Sequence, residues 1–131
     1  MERTPILYDA DCGFCRTVLA AVLLWDRARR LRPVTIQGEE GSALLAGMDE
    51  EARLASWHLA PPGGTPVSAG AAFPAVFRKL PGGEPFAVIA ARFPGAVERG
   101  YRWVAEHRTA LSKLVPPAVK RRADRLVVER S

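Results

Sequence analysis

The sequence predicts an α/β fold in which helices flank a four-stranded mixed sheet and extra helices follow at the C-terminal end. Two observations support this prediction: short apolar runs alternate with segments of helical periodicity, and the strand-like runs end before residue 70. The chain has 131 residues, 48% hydrophobic and 25% charged, values typical of one globular domain. We therefore expect a single domain over residues 1–131, with a sheet-containing core over about 1–83 and a basic helical extension over about 84–131.

The first three elements follow from apolar patterning and its interruptions. Ile6–Tyr8 is a short apolar run stopped by acidic residues, which is typical of a buried strand. From residue 15 to about residue 30 apolar residues recur on one face, which predicts a helix with cations near its last turn. Residues 31–36 read as a second strand, where Pro33 suits an edge position because it cannot donate a ladder hydrogen bond. The cations are Arg27, Arg29 and Arg30.

The middle of the chain predicts short helices followed by a hairpin. Residues 41–54 form one broken helix or two short ones, because Gly47 to Asp49 interrupts the pattern. Residues 56–59 and 65–68 are the predicted third and fourth strands. The turn signal Pro61-Pro62-Gly63-Gly64 between them predicts a hairpin.

The remainder of the chain is predicted to be helical. Residues 70–80 form a helix with Pro74 in its first turn, and Pro81-Gly82-Gly83 closes it. Residues 86–92 and 94–107 give two more helices, and a basic helix follows the break at Pro116-Pro117.

This order of elements is that of a thioredoxin-like sheet. A right-handed crossover makes the first two strands parallel, and the hairpin adds the last two antiparallel. Cys12 and Cys15 then lie where the first strand ends and the first helix begins.

The net charge of +5 comes from the C-terminal quarter of the chain. Residues 1–98 contain ten Lys and Arg against eleven Asp and Glu, whereas residues 99–131 contain nine against three. A solvated helix face explains this cluster, and contact with nucleic acid or an anionic membrane is the alternative. Nucleic-acid binding is disfavoured because no aromatic residue that could stack on bases follows Trp103. The cluster contains Lys120, Arg121, Arg122, Arg125 and Arg130.

Several classes of protein are disfavoured at this stage. The longest apolar run, Val18 to Trp25, is far shorter than the roughly twenty residues of a membrane helix, so we expect no transmembrane segment. The first residues lack the pattern of a secretory signal, and we expect a cytoplasmic protein. No phosphate-binding loop, hydrolase triad order or two-metal carboxylate cluster is visible, so no cofactor is expected.

Cys12 and Cys15 are the only cysteines and the most informative residues of the chain. A disulfide scaffold would use more cysteines spread along the sequence, so this pair indicates either a redox dithiol or half of a metal site. At a helix N-terminus, the unpaired N–H groups favour a thiolate at Cys12. Cys12 would attack a disulfide or peroxide, and Cys15, one turn later, would resolve the mixed disulfide. Gly13 would leave the approach open, and Phe14 is either an apolar contact near the sulfur or a core residue.

Two acidic residues precede the cysteines and have competing interpretations. A carboxylate beside Cys12 opposes thiolate formation by repulsion. Asp11 is either the N-cap of the first helix or a participant in the chemistry. Asp9 is either a partly buried proton acceptor for Cys15 or an ordinary turn residue at the strand end.

The two histidines also have two interpretations. His58 and His107 are structural or surface residues, or they complete a tetrahedral zinc site with Cys12 and Cys15. Their distance in sequence from the cysteines matches no compact zinc-finger spacing, so only the fold could bring the four side chains together.

The segment Tyr8-Asp9-Ala10-Asp11-Cys12-Gly13-Phe14-Cys15 resembles the Asp-Cys-x-x-Cys signature of the DCC family of thiol-disulfide oxidoreductases. The likeness spans most of residues 4 to 110. It implies a thioredoxin-like fold and dithiol-disulfide exchange, with Cys12 and Cys15 as the redox pair and Asp9 and Asp11 as flanking signature acids. The later parts of the likeness are residues 29–34 with Gln37, residues 56–59, residues 70–72 and residues 101–108.

One departure from better-known relatives bears on the substrate. Thioredoxin-like oxidoreductases place a proline just before the third strand, facing the cysteines, where it helps to hold a substrate chain; here residues 53–56 contain none. The dipeptide between the cysteines is Gly-Phe rather than the Gly-Pro of thioredoxin. A dedicated protein partner or a small thiol or disulfide is therefore expected in place of general protein-disulfide reduction.

Three functional hypotheses follow from the sequence. The leading one is an oxidoreductase that uses Cys12 as nucleophile and Cys15 as resolving thiol. The others are a metal-binding protein using the same cysteines, and a thioredoxin-like interaction module whose basic C-terminal segment docks on an acidic partner. The sequence does not indicate an oligomeric state.

Overall fold

A computed structural model describes residues 3–61 and 63–131. The strands are β1 (Thr4–Tyr8), β2 (Leu31–Thr35), β3 (His58–Leu59) and β4 (Val67–Ser68). They form one sheet in the order β2-β1-β3-β4, in which β1 and β2 are parallel and the other neighbours are antiparallel. This confirms the predicted mixed sheet, the parallel pairing of the first two strands and the edge position of the second strand. Of the predicted turn between β3 and β4, Pro62 lies outside the described residues.

Helices cover both faces of the sheet and continue beyond it, which gives a thioredoxin-like α/β fold with extra C-terminal helices. A 3-10 turn at Ala69–Ala71 leads into the fourth helix. The helices are α1 (Gly13–Trp25), α2 (Glu39–Leu44), α3 (Glu50–Ala55), α4 (Ala72–Lys79), α5 (Glu84–Arg92), α6 (Pro94–Glu106), α7 (Arg108–Leu114) and α8 (Pro117–Arg130).

The alternation of side chains along β1 gives the sheet a core on each face. Ile6 and Tyr8 lie in the cluster formed with α1, α4 and α8, whereas Leu7 lies in the cluster formed with the α2 and α3 segment. All three side chains are buried, which explains why β1 reads as a continuous apolar run.

The prediction that α1 extends to Arg30 is wrong, because the helix ends at Trp25. The buried carboxylate of Asp26 accepts hydrogen bonds from the backbone N–H groups of Arg30, at 3.0 Å, and Leu31, at 2.9 Å. Arg29 adopts a positive φ of 54° in this turn. The predicted cations, Arg27, Arg29 and Arg30, therefore lie after the helix rather than in its last turn. The hydrogen bonds of the Asp26 side chain hold the turn between α1 and β2.

The predicted helix 94–107 is followed by a further helix, α7, that the sequence pattern did not separate. At the junction, the backbone N–H of His107 bonds the carbonyl oxygens of Trp103 and Val104, and its own carbonyl accepts from Leu111. The sequence predicts a helix end at residue 107 and no element before the break at Pro116-Pro117, and no glycine or proline marks the boundary between the two helices. α7 packs against α1, and this contact shapes the candidate site.

The basic helix α8 packs along α1. Ala123 and Val127 are buried there, and Val127 belongs to the same cluster as the core residues of α1. Asp124 Oδ1 accepts from Arg16 Nε of α1 at 2.7 Å. Arg121, Arg122 and Arg125 are exposed on the other side of the helix. Within the described residues, no helix is both long and apolar enough to cross a bilayer.

Candidate active site

Cys12 is the N-cap residue of α1. Its Sγ accepts a hydrogen bond from the backbone N–H of Cys15 at 3.2 Å, and its own N–H donates to the carbonyl of Asp9 at 3.3 Å. The interpretation of Asp11 as N-cap is therefore wrong. Asp11 is exposed, and its N–H donates to Asp9 Oδ1 at 2.9 Å. Asp11 belongs to the turn that the Asp9 side chain closes, so the N-cap position of α1 falls on the next residue, Cys12.

The two thiols have opposite ionisation behaviour although they are one helical turn apart. The hydrogen bond from the Cys15 side chain lowers the pKa of Cys12 to about 6, with help from the Cys15 backbone N–H and the positive charge of Arg108, against the effects of burial and Asp9. The same hydrogen bond raises the pKa of Cys15, and burial raises it further. Both cysteines are free and partly buried. Near neutral pH, Cys12 is therefore the thiolate and Cys15 the thiol.

Asp9 occupies a fixed position between β1 and the cysteines. Its Oδ1 accepts from Gln37 Nε2 at 2.7 Å, and Gln37 Oε1 accepts from the backbone N–H of Ala10 at 3.1 Å. Its Oδ2 lies 3.8 Å from Arg108 Nη1, and 14% of the Asp9 side chain is exposed. Oδ1 of Asp9 is therefore hydrogen-bonded within the turn, and Oδ2 faces the guanidinium group of Arg108.

The loop before Cys12 is also held from the C-terminal side. Arg16 donates through Nη1 to the carbonyl of Ala10 and through Nε to Asp124 Oδ1 of α8. Gln37 on one side and the Arg16–Asp124 pair on the other therefore fix the turn that carries the thiolate, as supporting groups around a reactive residue commonly do.

A cavity of about 360 Å³ lies above Cys12, between the start of α1 and α7. A Cβ placed on Gly13 would meet Ser112 Oγ at 3.2 Å and Lys120 Cε at 3.4 Å. A larger residue at Gly13 would therefore crowd this side of Cys12, because Ser112 of α7 and Lys120 of α8 come close at this point. Asp11, Arg108 and Lys113 also line this cavity, which is polar.

A second cavity, of about 390 Å³, lies on the other side of the cysteine pair and is lined by Cys15. Its walls are almost entirely apolar and aromatic, and Asp9 and Arg108 line both cavities. Phe14 is half-buried and lines this cavity together with Cys15. The aromatic residues that line this cavity are Tyr8, Phe14, Trp57, Phe73 and Tyr101.

The histidines do not join the cysteines. The ring nitrogens of His58 lie 2.6 Å from Ser68 Oγ and 2.8 Å from the Arg53 carbonyl, and burial lowers its pKa. His107 Nδ1 bonds the carbonyl of Trp103 at 2.7 Å. Among residues 3–61 and 63–131, no three His, Cys, Asp or Glu side chains are grouped to hold a metal ion.

The sequence did not single out Arg108 and Tyr101 as site residues. Both lie in the segment 101–108, which resembles the DCC family but carries no chemical motif of its own. Tyr101 Oη accepts from the backbone N–H of Trp57 at 2.9 Å, and burial raises the pKa of Tyr101 to about 12. Arg108 begins α7 and reaches Asp9 across the site. No local pattern places α6 and α7 beside the cysteines, so only the fold reveals these residues.

Comparison with known protein families shows that the family described as DCC1-like thiol-disulfide oxidoreductase matches residues 6–114. This match covers β2, β3, β4 and all of β1 except its first two residues, together with both cysteines and the α7 helix. Neither the curated proteins nor the solved structures gave a match to this chain.

Proposed function

Because this chain belongs to the DCC1-like thiol-disulfide oxidoreductase family, we propose that Cys12 and Cys15 are its redox-active pair. The observation that supports this most strongly is the position of Cys12 Sγ at the N-cap of α1, 3.2 Å from the backbone N–H of Cys15. A thiolate is the attacking species in disulfide exchange, and this position favours one.

The exchange begins with Cys12. Its thiolate attacks one sulfur of a substrate disulfide, the sulfur–sulfur bond breaks, and the other half leaves as a thiolate that takes a proton from water. Cys15 then loses its proton and attacks Cys12 Sγ, which releases the second half of the substrate and forms the Cys12–Cys15 disulfide. The substrate gains two electrons and the protein dithiol loses them.

Cys15 needs a proton acceptor for this second step, because its pKa is raised in the reduced protein. We propose Asp9 for this role, since its Oδ2 is the carboxylate oxygen not tied to Gln37 and since Asp9 and Cys15 line the same cavity. Asp11 lies at the exposed rim of the polar cavity. Asp11 does not line the cavity of Cys15, so we propose Asp9 rather than Asp11 as the proton acceptor.

Serine substitution of each cysteine tests the assignment of roles. Cys12→Ser is expected to abolish reduction of a small disulfide such as bis(2-hydroxyethyl) disulfide. Cys15→Ser is expected to accumulate a stable mixed disulfide on Cys12, detected by intact mass, because the resolving thiol is missing. The proposal is wrong if Cys15→Ser turns over like the wild type, or if Cys12→Ser keeps its activity.

A further inference from the structure

We propose that the substrate is a low-molecular-weight disulfide carrying an aromatic or branched apolar group, which binds in the apolar cavity beside Cys15. This inference rests on the proposed function and adds the substrate class. Three features of the described residues support it: the lining of the cavity, the hydrogen bonds of Trp57 and the position of α7.

The cavity has the size and chemistry of a small-molecule site. Its volume of about 390 Å³ falls at the lower end of the range of roughly 300–1,000 Å³ for ligand pockets. Apolar and aromatic walls surround a polar end formed by Asp9 and Arg108, next to the Cys15 thiol. An apolar group bound here would place an attached sulfur at the junction with the polar cavity, where Cys12 lies.

The backbone of Trp57, beside the cavity, is already hydrogen-bonded within the protein. One general way in which a protein binds an extended peptide is through main-chain hydrogen bonds to an exposed strand segment. The segment facing the cysteines is Ser56-Trp57, just before β3. Trp57 already uses its N–H, which donates to Tyr101 Oη at 2.9 Å, and its carbonyl, which accepts from Ala69 N–H at 3.3 Å. A peptide substrate would therefore have to break internal hydrogen bonds.

The polar side of the site is also narrow. α7 packs against the start of α1, and at Gly13 the approach is close enough that a Cβ would lie 3.2 Å from Ser112 Oγ. A folded protein has to bring its disulfide past this helix to reach Cys12, whereas a small molecule fits the cavity of about 360 Å³ between them.

The test compares three disulfides under single-turnover conditions. The reduced protein is mixed with dibenzyl disulfide, with bis(2-hydroxyethyl) disulfide or with insulin, and formation of the Cys12–Cys15 disulfide is followed by acid quench, alkylation and mass. Each rate is divided by the rate of dithiothreitol with the same disulfide, which removes intrinsic reactivity. We expect a normalised preference of at least about tenfold for dibenzyl disulfide over the hydroxyethyl compound, because burying one ring removes considerable apolar surface from water.

Two glycines of α6 give a matched pair of variants. Gly100 lines the apolar cavity and Gly95 does not, and a Cβ at either position would meet no atom within 4 Å. Gly100→Phe therefore introduces a phenyl ring at the wall of the cavity, where its Cβ has open space, and Gly95→Phe adds the same side chain to the same helix elsewhere. Replacing a glycine inside a helix does not weaken the helix.

The inference predicts that Gly100→Phe loses the normalised preference for dibenzyl disulfide over bis(2-hydroxyethyl) disulfide, and that Gly95→Phe behaves as wild type. It is overturned if wild type shows no preference, if Gly100→Phe retains it, or if insulin reacts faster than dibenzyl disulfide. In those cases the reaction with bis(2-hydroxyethyl) disulfide still supports the redox pair. Failure of Cys12 and Cys15 to form a disulfide with any of the three compounds refutes the proposed function itself.

Discussion

Replacing Cys15 by alanine is expected to raise the pKa of Cys12, whereas replacing it by serine is expected to leave that pKa low. The hydrogen bond from the Cys15 side chain is the largest influence that lowers the pKa of Cys12 to about 6. Alanine removes this donor but keeps the backbone N–H that bonds Cys12 Sγ. Serine keeps a donor of similar size in the same place.

The size of the effect follows from the energy of one charge-assisted hydrogen bond. Such a bond contributes about 1.5–3 kcal/mol, and one pH unit of pKa corresponds to about 1.4 kcal/mol. Cys12 is only partly buried, so solvent screening reduces the effect to about one pH unit. At pH 7 the thiolate fraction of Cys12 should then fall from about nine-tenths to about half in Cys15→Ala.

The assay is the pH profile of Cys12 alkylation by iodoacetamide in the two variants. The midpoint is the informative quantity, because a thiolate of higher pKa is intrinsically more nucleophilic and the change in absolute rate at neutral pH is therefore small. The reasoning is refuted if the midpoints of Cys15→Ala and Cys15→Ser coincide. It is also refuted if the serine variant shows the midpoint of an ordinary thiol.

Three further predictions concern stability. Leu23→Ala should lower the unfolding free energy by about 2–5 kcal/mol, because Leu23 is fully buried. Leu24 lies on the same helix and is 65% exposed, so Leu24→Ala should change the unfolding free energy little. Denaturant unfolding measures both effects. Deleting residues 117–131 should abolish cooperative thermal unfolding, since Val127 belongs to the core; a truncated protein that melts like the full chain would contradict the packing of α8. The reduced wild type should gain stability relative to Cys12→Ala as the pH rises from about 6 to 8. In that window the folded Cys12 is a thiolate while the unfolded one still binds a proton, and a pH-independent difference in chemical denaturation would argue against the lowered pKa.

The sequence predicted the sheet because its signals are local. The apolar run of β1, the proline in the edge strand β2 and the spacing of the cysteines each depend on neighbouring residues. The parallel pairing of β1 and β2 then follows from the handedness of crossovers. The same locality explains the error at the N-cap, because Asp11 and Cys12 are adjacent, both accept hydrogen bonds, and only the turn closed by Asp9 decides between them.

The surroundings of the thiols are tertiary and could not be read from local patterns. Arg108 is 99 positions from Asp9 in the chain, yet the two side chains face each other at 3.8 Å. The basic C-terminal segment reads as a solvated helix face, but α8 brings Asp124 to Arg16, beside the turn that carries Cys12. No motif within these helices indicates that they pack beside the cysteines.

A redox titration of the Cys12–Cys15 pair tests the central proposal most directly. The protein is equilibrated in thiol-disulfide buffers, and its free thiols are counted by alkylation and mass shift. We expect the two free thiols to be lost together, with no buffer thiol attached to the protein. This loss should occur in one two-electron transition within roughly −270 to −120 mV, the range of thiol-disulfide oxidoreductases. If the thiols are lost one at a time as mixed disulfides, or if no intramolecular disulfide forms under oxidising conditions, Cys12 and Cys15 are not a redox pair.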